Sequence, residues 1–178
     1  MKESTGSVAS VYIIIFFVVI MFGFITSIIS YYKGYKINNS LTAAIEDYGG
    51  FNAESKEEIE KRLTSYGYNI NRDINCRERE NAVLVGIKNG NMIVNKDPET
   101  NAITGVAANE RGYSGYCVYL VDEPAYSTTG SNVKYKYYSY QIMTYLTLDF
   151  PIVSDILQFP ISTKTDVMYS CYGLNCGD

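Results

Sequence analysis

The stretch from Val11 to Ile29, VYIIIFFVVIMFGFITSII, decides the fold. As a helix it spans about 28 Å, close to the roughly 30 Å hydrocarbon core of a bilayer. No acid or base other than tyrosine occurs between Ser4 and Tyr32. An Asp, Lys or Arg at the centre of such a helix would cost about 2.5 to 3.5 kcal/mol. A cleaved signal peptide is the alternative, but its apolar region normally runs about 7 to 15 residues and ends in a small-x-small site. The block here is longer, and the ITSIISYYK that follows has no convincing site of that kind. The reading is a retained single-span helix.

Charge and cysteine disagree on which side the rest of the chain lies. Lys2 precedes the span, and Lys33 and Lys36 follow it. Counting Lys and Arg alone would put the C-terminal part in the cytoplasm. The four cysteines, Cys76, Cys117, Cys171 and Cys176, all follow the span in a chain without His, and disulfides persist outside the reducing cytosol. They favour an extracytoplasmic domain with a cytoplasmic N-terminus. Four cysteines allow three pairings. Closeness in sequence favours Cys171 with Cys176, leaving Cys76 with Cys117; four buried free thiols are the alternative.

The helical pattern continues past the membrane. Ile37, Leu41, Ala44, Ile45 and Tyr48 fall on one stripe beside Lys36, Asn38, Asn39, Thr42, Glu46 and Asp47. With no proline before Pro98, one continuous helix from about residue 8 to Tyr48 is expected, ended by Gly49-Gly50. Gly23 and Gly34 are points for a bend or a close helix–helix approach. A second helix starts with the capping box Ser55-Lys-Glu-Glu58, has Ile59, Leu63 and Tyr66 as its apolar face, and stops at Gly67. Its charges read as a solvated face with pairs Glu57–Lys61 and Glu58–Arg62 rather than as a carboxylate cluster.

Strand signals take over from Tyr68. Residues 82–88, Asn89-Gly90 and 91–95 read as a hairpin with a type I′ turn. Lys96 to Gly112 is polar and loop-like, Ser114 to Val121 a strand, and Val133 to Asp149 a long Tyr- and Thr-rich strand. Phe150-Pro151 breaks it, residues 152–157 make about one helical turn, and Phe159-Pro160 restarts an extended chain. Ile161, Thr163, Thr165, Val167, Tyr169 and Cys171 alternate with Ser162, Lys164, Asp166, Met168 and Ser170 on one final strand with two distinct faces. The fold class is α+β: a long N-terminal transmembrane-plus-amphipathic helix packed on a small antiparallel sheet. In segments, 1–7 is leader-like, 8–32 is the transmembrane helix and 33–178 is the extracytoplasmic domain. That domain comprises the helix continuation at 33–48, the short helix at 54–66 and the β-rich remainder from 68 to 178.

Composition restricts the chemistry. The chain has 178 residues, 15 Lys+Arg against 19 Asp+Glu, 18 Tyr, and neither His nor Trp. Lack of His removes Ser-His and Cys-His catalysis and His-bearing metal sites. An acidic balance without a basic run argues against nucleic acid. Asp97-Pro-Glu99-Thr-Asn101 alternates oxygen side chains as a calcium loop does, but lacks the following glycine and the closing bidentate Glu. Asp122-Glu123 before Pro124 reads as a turn. The tyrosines from Tyr135 to Tyr145 are an adhesive or carbohydrate-binding surface or, more simply, cross-strand packing. The glycines form neither GxGxxG nor a P-loop. No catalytic residue set, metal or cofactor is expected.

A membrane helix that continues as an amphipathic helix under an antiparallel sheet resembles type IV pilins and pseudopilins, and among them the tight-adherence (Tad) minor pilins of the TadE kind. Those are processed at a glycine followed by four residues, Glu, then Phe or Tyr, then the apolar run. Gly6-Ser7-Val8-Ala9-Ser10-Val11-Tyr12 fits that register, with Val11 where Glu is expected. The C-terminal stretch YLTLDFPIVSDILQFPISTKTDVMY also looks like the group. The resemblance implies processing between Gly6 and Ser7 and an assembly helix through Val11, Tyr12, Gly23 and Gly34. The missing Glu, which pairs with a neighbour's amine during assembly, implies a minor, initiating or tip subunit, or a retained membrane protein. Implied partners are the lipid bilayer, other pilin-like subunits, a prepilin peptidase and an inner-membrane assembly platform, in adhesion or secretion. The alternative is a single-span extracytoplasmic sensor or adaptor. Six residues before the span leave little room for the cytoplasmic output domain a sensor would use.

Overall fold

A computed structural model describes residues 2–72, 74–77, 79–97, 99, 103–123, 134–147 and 158–172. Helix α1 runs from Lys2 to Asp47 without interruption, so it passes through Gly23 and Gly34 and takes in the segment read as leader-like. A polar turn added to an existing helix gains one hydrogen bond per residue with no new nucleation cost, so α1 extends beyond the start of the apolar pattern. At the other end Gly49, at φ 65°, lets the chain reverse. Gly50 N–H donates to Ile45 O at 2.9 Å and Gly49 N–H to Glu46 O at 3.1 Å, closing the helix where the glycine pair predicts.

Helix α2, Ala53–Ser65, begins two residues before Ser55, the expected opening cap. The cap is Asn52: its side-chain oxygen accepts from Ser55 N–H at 2.9 Å, and Ser55 Oγ accepts from Asn52 N–H at 2.8 Å. Ser55 therefore closes the box at its third position instead of opening it, because a buried Ser55 beside Ile59 and Leu63 belongs to the inner face. Tyr66 falls outside that face and is exposed. Glu58 takes Arg62 as expected, at 2.7 Å, but Lys61 also turns to Glu58, at 3.8 Å. Arg62 additionally reaches Ser40 O at 2.6 Å and Asp47 at 3.6 Å, fastening α2 to α1.

The strands are β1 Ala82–Leu84, β2 Gly86–Lys88, β3 Asn91–Ile93, β4 Asn95–Lys96, β5 Ile103–Thr104, β6 Tyr116–Asp122, β7 Lys134–Thr147, β8 Gln158–Lys164 and β9 Met168–Tyr172. The main sheet is antiparallel in the order β1-β6-β7, with β8 and β9 sharing the far edge of β7. The β2–β3 hairpin turns at Asn89 and Gly90, with φ of 53° and 83°, as the Asn-Gly pair predicts. Its first arm is shorter than expected. β1 leaves it to satisfy the outer backbone groups of β6, and the chain bends at fully buried Val85. The stretch from Lys96, read as loop, contributes β4, β5 and a 3₁₀ turn at Ala108–Glu110.

β8 and β9 are nearly the one final strand that the alternation predicts. Between the pairs Gln141↔Lys164 and Tyr138↔Met168 the β8–β9 side carries one residue more than β7. That bulge flips the faces: Ile161 and Thr165 point inward, but Val167 and Tyr169 are exposed and half-buried Met168 joins the core. Thr165 sits at the bulge as both donor and acceptor. Its N–H donates to Tyr140 O at 2.8 Å, and its hydroxyl accepts from Tyr140 N–H at 2.9 Å. From α1, Glu46 accepts the N–H of Asp166 at 2.7 Å. Pro160 is tolerated because β8 is an edge strand.

The core lies between sheet and helices. Leu41, Ala44 and Ile45 of α1, Ile59 and Leu63 of α2, and Tyr116, Val118, Tyr140 and Ile142 of the sheet meet there. Fully burying a large aliphatic side chain contributes about 1.5 to 3 kcal/mol, so the fully buried Leu and Ile side chains of the helices, Leu41, Ile45, Ile59 and Leu63, hold this layer. A smaller cluster on the other face, Ile74, Cys117, Tyr119 and Met143, lies under the segment after α2. There Cys76 and Cys117 are joined by a disulfide, closing a loop worth about 4 kcal/mol on the chain-entropy account. Cys176 and the side chain of Cys171 lie outside the described residues, as do the helical turn expected at 152–157 and most of the Asp97–Asn101 loop.

Candidate functional site: the exposed helix and its junction with the sheet

From Val11 to Ile29 the large apolar side chains of α1 are at least about a third exposed, Phe22 and Ile28 at 67%. Its most apolar window has no residue buried within the protein, and the helix is long and apolar enough to cross a membrane. Its few polar atoms are used internally: Thr26 Oγ1 donates to Phe22 O and Ser27 Oγ to Gly23 O, both at 2.8 Å. That is how hydroxyls are accommodated where water is absent. Tyr31, Tyr32 and Tyr35 are exposed beside Lys33 and Lys36, an arrangement suited to a membrane–water boundary.

The residues singled out in the sequence fall in distinct places. Gly6 and Ser7 lie in the first turns of α1, and Val11 and Tyr12 are exposed at 53% and 69%. Gly23 is half-buried in the free part of the helix, and Gly34 is buried where α1 reaches the domain. The tyrosines of β7 mostly pack: Tyr140 is buried and meets half-buried Tyr138 edge-on at 5.7 Å. Tyr137 pairs with exposed Tyr169 across the strands.

Three buried polar groups escape the sequence reading. Asn38, placed with the polar face of α1, is fully buried: its Nδ2 donates to Ile161 O at 2.5 Å and its Oδ1 accepts from Thr144 Oγ1 at 2.6 Å. Its spacing of three from Leu41 is the signal that puts it on the inner stripe. Arg111, 1% exposed, donates to Cys76 Sγ and, at 3.2 Å, to Ile74 O, with its guanidinium 5.8 Å from the ring centre of Tyr113. Tyr113 in turn donates to Val85 O at 2.7 Å and accepts from Val118 N–H at 3.2 Å; burial pushes its hydroxyl well above the usual tyrosine range. These groups build structure, locking helix to sheet and disulfide to core.

Outside the membrane segment, Glu123 is held below the usual carboxylate range by its hydrogen bonds from Lys164 and Ser139. It ties β6 to β7 and β8. Among the described residues no group of three or more Asp, Glu or Cys is arranged to hold a metal ion. The arrangement presents an exposed apolar rod whose second half lies in the core of a sheet domain. No family model matches the sequence, and no curated protein or solved structure matches it either.

Proposed function

We propose that the chain is a membrane-anchored minor pilin or pseudopilin-like subunit of a Tad-type type IV pilus or a related secretion apparatus. One observation carries the reading: α1 is a single unbroken helix, exposed and apolar in its first half and buried under an antiparallel sheet in its second. Such a helix anchors the subunit in a bilayer and can pass into a bundle of like helices without unfolding its own domain. The N-terminus faces the cytoplasm and the sheet domain is displayed outside, where the Cys76–Cys117 disulfide persists. A prepilin peptidase would cut between Gly6 and Ser7, and sibling subunits and an assembly platform would receive the helix. The role is structural, in adhesion or secretion, not enzymatic. Val11 in place of a carboxylate suits an initiating or tip subunit. The same substitution favours, as the second reading, a single-span extracytoplasmic sensor or adaptor that never assembles.

Intact mass of the protein from its native membrane tests this, taken before and after reduction. The expected species begins at Ser7 and gains two hydrogens per disulfide on reduction. A chain that retains residues 1–6 and gains no mass would overturn processing and export together.

A further inference from the structure

A cleft of about 320 Å³ opens where α1 leaves its apolar stretch and meets the turn after α2. Ser30 and Lys33 line it from the helix, and Tyr66, Asn69 and Arg72 from the turn. Lys33 lies about 6 Å along the axis beyond Ile29, by helical rise, which is headgroup depth for a helix whose apolar run ends there. Two cations from separate elements thus converge on one cleft in a chain of net charge −4. No described carboxylate lines it. Asn69 Oδ1 is taken by Asn71 N–H at 3.0 Å, which leaves the Asn69 amide NH₂ as a donor. With the Ser30 hydroxyl, the lining offers a guanidinium, an ammonium and neutral donors, the set that recognises a phosphate.

We propose that this cleft binds the phosphate of an anionic membrane phospholipid. The cleft's wall on the helix side begins at Thr26, inside the apolar run. A lipid whose phosphate meets Lys33 and Arg72 can lay its acyl chains along the exposed face above Phe22 and Ile29, and a free phosphate cannot use that face. Half-buried Arg72 offers the headgroup a partner on the domain and exposed Lys33 one on the helix, so a single lipid bridges the two. The inference rests on α1 being a membrane anchor.

The test is native mass spectrometry of the full-length protein in detergent with phosphatidylglycerol or phosphatidylcholine. Two cations at headgroup depth predict a roughly thirtyfold preference for phosphatidylglycerol. The double variant Lys33→Gln/Arg72→Gln brings retention of the two lipids to parity. Lys36→Gln, an exposed cation of the same helix outside the cleft, leaves the preference intact. An equal loss with Lys36→Gln means diffuse attraction and overturns the site. Inorganic phosphate that displaces phosphatidylglycerol at equal concentration makes it a soluble-anion site and overturns the lipid. Flotation with neutral vesicles separates the two levels. A protein that fails to float sinks the anchor itself, whereas one that floats without headgroup preference sinks only this inference.

Discussion

The two halves of α1 solve the same problem with opposite partners. From Val11 to Ile29 apolar residues cover every side of the helix and all remain exposed; from Ile37 to Ile45 they occupy one stripe and are buried against α2 and the sheet. An all-round apolar helix has no polar face to give to water, so it requires an apolar solvent. A striped helix requires only a neighbouring sheet. The difference teaches that one rigid element can belong to two environments, because backbone hydrogen bonds are satisfied inside the helix wherever it lies.

The comparison breaks most readily in the buried half. Leu41→Ala should cost the sheet domain about 3 kcal/mol, read from chemical denaturation in micelles, while Phe17→Ala should leave the domain's stability unchanged. Equal losses would mean that both halves share one core. The reverse contrast uses Phe17→Asp, with an insertion penalty of about 3 kcal/mol. It should reduce the membrane-inserted fraction in flotation or alkaline extraction without moving the domain's denaturation midpoint.

Asn38→Ala sharpens the boundary between the halves. It strips Ile161 O and the Thr144 hydroxyl of their partner, costing about 2 kcal/mol by the same denaturation assay. A neutral outcome would show that the helix is held on the sheet by apolar packing alone. The last effect is confined to alkaline pH. Burial raises the Tyr140 hydroxyl, under α1, to about 12. The folded state prefers its neutral form, so this stabilising component is complete below about pH 10 and is lost as pH rises towards about 12. Tyr140→Phe should flatten the fall of stability across that window, measured as denaturation midpoint against pH.

Much of the architecture was legible because periodicity, glycine stops and the Asn-Gly turn are local signals. The apolar span, the end of α1 at Gly49 and the β2–β3 turn follow from them, whereas the Cys76–Cys117 pair was only what remained once Cys171 was matched with its sequence neighbour Cys176. What was not legible depends on neighbours distant in sequence. Ser55 looked like an opening cap until Asn52 took that place. A single added residue at Thr165–Val167 reversed which side chains of the last strand face inward. Within the candidate site, the apolar rod was readable but the cleft was not. Lys33 and Arg72 are far apart along the chain and share a wall only because the segment that turns at Gly67, after α2, comes back against α1.

The sequence alone determined that the chain carries a helix suited to a membrane and that an amphipathic continuation leads into an antiparallel sheet. Those properties are sums over consecutive residues, and composition carries them. Only the tertiary structure decided that Asn38 and Arg111 are buried, that β1 serves β6, and where cations gather at the junction. Burial and pairing are set by which distant surfaces meet, and each polar group must then find its partner there.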